Sequence, residues 1–192
     1  MAKLYFKYGA MNSGKTTILL QTAYNYEERK MKVVVMKPTI DKKGEEYIVS
    51  RIGAKRKVDK LLNFNDNIYD IFKEKYSDSF CLLVDEVHFL NKKQIDQLLK
   101  IVTSYDIPVI CYGLRTDFKT EGFDGSTRLL QIADKIEEIK TICECGRKAT
   151  FNLRKINNKF VFDGEQVEID GFDSVTYQSV CPKCLVKIVK QK

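Results

Sequence analysis

The 192 residues are 44% hydrophobic and 31% charged, with a formal net charge of +7. That balance excludes a wholly disordered or fibrous chain and leaves room for one substantial core plus a small appendage. No run of about 18 or more apolar residues occurs, and Met1-Ala2-Lys3-Leu4 leads directly into a strand-like stretch, so neither a membrane partner nor a secretory signal is expected and the location expected is cytoplasmic.

Leu4 to Tyr8 is a short apolar run of strand character. Gly9-Ala10-Met11-Asn12-Ser13-Gly14-Lys15-Thr16 follows and fits G-x-x-x-x-G-K-[ST]. Behind it Ile18, Leu19, Thr22, Ala23 and Tyr26 recur at helical spacing. Strand, loop and helix in that order make a phosphate-binding loop. Its backbone N–H groups and the helix N-terminus converge on the phosphate tail of a nucleotide. Lys15 then reaches the β- and γ-phosphates, and Thr16 offers a hydroxyl to Mg²⁺.

The chain returns through Met31 to Met36 as a buried strand ending at Lys37-Pro38, completing a β-α-β unit. From Ile40 to Lys60 the sequence is polar, contains Gly and has little periodicity, which marks a long loop. Ile68, Ile71 and Phe72 predict a short helix, and Phe80-Cys81-Leu82-Leu83-Val84-Asp85 a strand closed by a carboxylate. Ile95, Leu98, Leu99 and Val102 form the next helical stripe, and Ile107 to Gly113 another strand. Leu129 to Ala133 and Lys135 to Ile139 read as a last helix and strand. The alternation predicts a parallel α/β sheet of the P-loop NTPase, RecA-like kind, with helices on both faces. Ligands of such sheets sit beyond the carboxyl ends of the strands, where the Gly9 loop, Asp85-Glu86 and Gly113-Leu114-Arg115 all fall.

After about Thr141 the pattern changes to cysteine pairs, short β-like pieces and Gly turns, so residues 1–140 are read as a nucleotide-binding domain and 141–192 as a zinc-binding one. Cys143-x-Cys145 and Cys181-x-x-Cys184 suit four thiolates around a structural Zn²⁺, with free thiols or a redox pair as the other reading. Cys81 and Cys111 lie in buried-strand patterns and read as core.

Asp85 stands where a Walker B carboxylate serves Mg²⁺, or else caps a helix. Glu86, pointing the other way at the strand end, is the residue to reach a substrate hydroxyl and act as general base. His88, the single histidine, either lines the phosphate region or packs in the core. Arg51, Arg115 and Arg128 are candidates for extra positive charge at a transferring phosphoryl group. The basic excess lies largely between Lys42 and Lys60 and at Lys187, Lys190 and Lys192, without the aromatic interleaving of a single-strand binding groove. No nucleic-acid partner is expected from it.

The order of these motifs, with Lys37-Pro38-Thr39-Ile40-Asp41, Ser50-Arg51-Ile52-Gly53, Asp85-Glu86-Val87-His88-Phe89, Tyr112-Gly113-Leu114-Arg115-Thr116-Asp117-Phe118 and Tyr177-Gln178-Ser179-Val180-Cys181, resembles the type II thymidine kinases through nearly the whole chain. The resemblance implies that Gly9 through Thr16 hold the triphosphate of ATP, with the stretch from Asp85 through Val87 to His88 bordering it. It implies that Glu86 takes the proton from the 5′-hydroxyl of thymidine, with deoxyuridine as a further acceptor, and that Asp85 serves magnesium. Met11, Phe89, Leu114 and Phe118 match an apolar pocket around the base. A lasso loop of the zinc domain, here Gln166, Val167, Glu168, Ile169 and Asp170 and onward to Tyr177, would grip the base. A homotetramer and feedback inhibition by thymidine triphosphate are implied as well. Two departures are the C-x-C first pair and, in the lasso, Asp170 with the longer Phe172-to-Thr176 stretch.

Three rival readings remain. Asp85-Glu86-Val87-His88 superficially matches a helicase D-E-x-H box, so a zinc-ribbon, nucleic-acid-dependent P-loop ATPase is the alternative, although the chain has room for one nucleotide-binding lobe only. A kinase of another nucleoside or of a nucleoside monophosphate and a non-catalytic nucleotide-binding regulator are the others.

Overall fold

The computed structural model describes residues 1–166 and 175–190. Val167, Glu168, Ile169, Asp170, most of the Phe172-to-Thr176 stretch and Lys192 lie outside the described residues. In chain order the first unit comprises β1 (Leu4–Tyr8), α1 (Lys15–Glu27), β2 (Val33–Pro38), β3 (Tyr47–Val49), β4 (Lys55–Lys57), β5 (Lys60–Leu62), α2 (Ile68–Lys75), β6 (Cys81–Val84), a 3₁₀ turn (Val87–Phe89), α3 (Lys92–Tyr105), β7 (Val109–Gly113), α4 (Asp124–Ile132) and β8 (Lys135–Glu138).

Six of these strands form one parallel sheet in the order β5-β2-β6-β7-β1-β8. Every residue of β2, β6 and β7 is buried, as expected of strands covered on both faces. On one face Phe6, Val34, Met36, Leu82 and Val84 meet Phe72 of α2, Ile95, Leu98 and Val102 of α3 and Leu129 of α4. On the other, Val33, Val35, Leu83, Ile110 and Tyr112 meet Leu19, Leu20 and Ala23 of α1. The expected α/β architecture with helices on both faces is what the chain adopts.

The stretch from 40 to 60 differs from the expected loop. β3 and β4 pair antiparallel as a hairpin, and β5 joins the main sheet at its edge beside β2. Three-residue strands offer too few positions for a period of two to register. What anchors the hairpin is burial of Ile48 and Val58 in the α1 face core. The fully buried Lys37 adds to this, with its ammonium paired to Asp41 at 3.2 Å and donating to the carbonyl oxygen of Lys43 at 2.7 Å.

α4 begins at Asp124, five residues ahead of the apolar stripe that predicts it. Gly125 and Ser126 weaken the helical signal there, and both are buried because α4 presses on the 3₁₀ turn. A Cβ on Gly125 would meet the carbonyl oxygens of Val87 at 2.5 Å and Leu90 at 2.7 Å.

The second unit comprises β9 (Thr141–Ile142), β10 (Lys148–Ala149), β11 (Phe151–Ile156), β12 (Lys159–Val161), β13 (Val175–Val180) and α5 (Pro182–Val189). β9 pairs with β10, and β11 lies between β12 and β13, all antiparallel. α5 was not anticipated among β-like pieces. Pro182 at its first turn and Cys181 as N-cap start it, and Leu185 and Ile188 pack on the small core around Leu153 and Val180. Among the described residues no helix is long and apolar enough to cross a membrane.

Candidate functional site

The sheet order leaves β7 between β1, which launches the phosphate loop, and β6, which ends at Asp85. Their carboxyl ends therefore flank one groove, the position at which parallel sheets bind ligands. A cavity of about 570 Å³ opens there.

The phosphate loop forms one end of that cavity through Met11, Asn12, Ser13, Gly14, Lys15 and Thr16. Gly14 has φ +83°, a conformation that a side chain strains, and it precedes α1 without a side-chain cap. By contrast α2 and α3 are capped by the side chains of Asn67 and Asn91. The first N–H groups of α1 are thus left for an anion. Gly9 and Ala10, which begin the loop, do not line the cavity. A Cβ on Gly9 would collide with the carbonyl oxygen of Ile139. The Lys15 ammonium is buried and donates to the carbonyl oxygens of Gly9 and Ala10, each at 3.1 Å. Burial lowers its pKa, while Glu86 and Asp85 pull it back up.

Asp85 and Glu86 diverge at the end of β6. Asp85 is buried beneath the cavity, its Oδ1 accepting the Glu86 N–H at 3.0 Å. Glu86 adopts φ +46° and lines the cavity itself. A non-glycine residue held in the left-handed region costs energy, which is a common property of functional turns. Burial raises the Asp85 carboxyl to about 6. Burial, and then the Asp85 charge, push Glu86 up to about 8.

His88 is buried and lines the cavity. Its Nδ1 accepts the Leu114 N–H at 3.2 Å, and its ring packs on Phe89 and Phe123. Burial, followed by the Lys15 charge, pushes its pKa well below the usual value. A neutral imidazole accepting at Nδ1 makes the 3.5 Å approach of Glu86 Oε2 a contact rather than an ion pair. Val87 is buried in the core and does not line the cavity.

Apolar lining comes from Met11, Phe89, Leu114, Phe118 and Phe123, with Gln166 and Tyr177 from the second unit. Lining residues to which the sequence reading gave no role in the site include Asp41, Lys43 and Val49 of the 40–60 stretch, Thr116 and Asp117 after β7, and Asn152 of β11. Local spacing carries no signal for Asn152: its Oδ1 accepts the Met11 N–H at 2.7 Å from far along the chain. Ser179 likewise donates to the Met11 carbonyl oxygen.

Of the three arginines, Arg51 lines the cavity. Arg115 packs over the rings of Tyr8 and Phe151 and does not line it. Arg128 is paired with Asp96 on the helical face at 2.6 Å, so the fold commits it elsewhere.

The ligand sulfurs of Cys143, Cys145, Cys181 and Cys184 all lie within 4.8 Å of one another, and those of Cys145 and Cys181 are 3.5 Å apart. Four sulfurs about 2.3 Å from a tetrahedral zinc are about 3.8 Å apart, so this set fits that ion. Cys81 and Cys111 are buried strand residues remote from the cluster, as their sequence context predicts.

A family model described as thymidine kinase matches residues 2–185. Relatives called thymidine kinase include one from Mannheimia succiniciproducens, 49% identical over 186 residues that cover 94% of this chain and 93% of the relative. One from Shewanella oneidensis is 48% identical, covering 95% of this chain and 96% of the relative. One from Streptococcus gordonii is 46% identical, covering 95% of each.

Proposed function

This chain belongs to the thymidine kinase family, and from that premise we propose that it transfers the γ-phosphoryl of ATP to the 5′-hydroxyl of thymidine with Glu86 as general base. The observation that carries the reading is a single cavity lined together by the phosphate loop, by the apolar side chains of Phe89, Leu114, Phe118 and Phe123 and by Glu86.

In this reading the loop amides and α1 bind the phosphates, and Lys15 leaves the carbonyl oxygens of Gly9 and Ala10 for the β- and γ-phosphates. Phe89, Leu114 and Phe118 hold the flat base. Glu86 accepts the hydroxyl proton as the oxygen of thymidine attacks phosphorus and the bond to the β-phosphate oxygen breaks. Raised to about 8 without ligands, its carboxyl is basic enough to take that proton, and the Lys15 charge favours its ionised form. Lys43 and Arg51 supply further charge. Thr16 and Asp85 would hold Mg²⁺, which neutralises charge on the phosphate oxygens when bound with ATP. The four cysteines would hold a structural zinc.

Conversion of thymidine to thymidylate by the purified protein, run beside Glu86→Gln with ATP binding checked in both, tests the reading. Product from the native protein and a large loss in the variant with binding intact is the expected result. ATP turnover stimulated by single-stranded DNA without a thymidine requirement would overturn it. A homotetramer and inhibition by thymidine triphosphate belong to the same proposal, and light scattering and inhibition kinetics check them.

A further inference from the structure

Arg154 is among the largest side chains that the fold buries completely, yet it belongs to β11 of the small second unit. A guanidinium keeps its charge at any ordinary pH and is costly to bury, so it stays only where its surroundings hold it. Its Cζ stands 3.8 Å from the centroid of the Phe118 ring. Nε donates to the Tyr177 hydroxyl at 3.0 Å, and Nη2 to the Gln166 carbonyl oxygen at 3.3 Å.

These three partners come from separate parts of the chain: the loop after β7, the stretch after β12, and β13. All three line the cavity, whereas Arg154 does not. Gln166 is tied further, its Nε2 donating to Asp117 Oδ2 at 3.1 Å, and Asp117 in turn accepts the backbone N–H groups of Lys119 and Glu121.

We propose that Arg154 is a positioning residue for the nucleoside end of the site, setting the plane of Phe118 and the placement of Tyr177 and Gln166 from behind the wall. The proposal rests on the reading of this cavity as a thymidine site. A ring held by a guanidinium and a hydroxyl held by Nε have lost freedom before the base arrives, so less ordering is left for binding. The phosphate loop is tied to the same two strands by other side chains, Asn152 and Ser179 on Met11, so a change at Arg154 should fall on thymidine more than on ATP.

Steady-state kinetics of the full-length, zinc-loaded protein carrying Arg154→Met or Arg154→Lys, with thymidine and ATP each varied, test this. Arg154→Met should raise the KM for thymidine about tenfold while kcat and the KM for ATP stay within about threefold. Arg154→Lys keeps the charge but loses the planar fork and should fall between. A lower kcat at unaltered thymidine KM, the mark of a role in folding alone, would overturn the proposal. Should Arg154→Met not fold, a cycle of Arg154→Lys with Tyr177→Phe decides: effects on thymidine KM that are less than additive support it, and fully additive ones overturn it. If the native protein does not phosphorylate thymidine, the site reading fails and this inference with it. If it does, and both Arg154 substitutions leave thymidine KM within about twofold, the Arg154 inference alone fails.

Discussion

Asn152 accepts the backbone N–H of Met11 at 2.7 Å across 141 positions of sequence, so a strand of the second unit holds the phosphate loop of the first. Asn152→Ala should cost about 1–2 kcal/mol of stability, the usual consequence of leaving a donor without its partner. It should weaken ATP binding as well, because Met11 belongs to the loop. Urea midpoints and calorimetric titration of ATP check both, and an unchanged ATP affinity would contradict the structural link.

Zinc removal should reach the same loop. The cysteine cluster packs with Ala149, Leu153 and Val180, and that small core carries β11 and β13, from which Asn152 and Ser179 reach Met11. Stripping the ion, or Cys181→Ser, should therefore lower the melting temperature of the second unit and weaken ATP as well as thymidine. Metal content measured beside both affinities checks this. Unaltered ATP affinity in zinc-free protein would mean that the strands keep their place without the metal.

What could be read in the sequence follows from how local each signal is. β2, β6 and β7 are buried on both faces, so their apolar runs announce parallel strands directly, and the phosphate loop and cysteine pairs are spacings along the chain. The β3–β4 hairpin escaped because its hold comes from Lys37, Ile48 and Val58 against other elements. α4 was read short because Gly125 answers to the carbonyls of Val87 and Leu90 rather than to helix propensity. Asn152 and Asp117 enter the cavity lining only through tertiary contact, and no periodicity reports that.

Glu86 links activity to stability against pH. Without ligands its carboxyl is raised to about 8 in the folded chain from 4.5. Between those values the folded state holds a proton that the unfolded chain has released, so stability falls as pH rises through that window. Asp85, raised to about 6, acts in the same sense over the lower part of it. Glu86→Gln should flatten the fall in melting temperature between about pH 5 and about pH 8 and be the more stable protein at the upper end, by on the order of a few °C. It should also lose about 10²- to 10⁴-fold in phosphoryl transfer with ATP binding retained. Thermal scans in a pH series beside product assays test the pair of effects.

Lys37 offers the sharpest contrast between a buried and an exposed ion pair in this chain. Its side chain is fully buried, pairs with Asp41 at 3.2 Å and donates to the carbonyl oxygens of Lys43 and Tyr47 at 2.7 and 3.4 Å. Lys37→Met would leave the Asp41 carboxylate unpaired and two carbonyls without this donor, for an expected cost of about 2–4 kcal/mol. Lys32 and Asp78 are closer, at 2.5 Å, but exposed to 46% and 70%, so Lys32→Ala should cost less than about 1 kcal/mol. Because Lys37 ties down the stretch that brings Asp41, Lys43 and Arg51 to the cavity, only the first substitution should also weaken ATP binding and speed amide hydrogen exchange across residues 41–49. Equal costs for the two would show that the hairpin is held by Ile48 and Val58 alone, with the ammonium incidental.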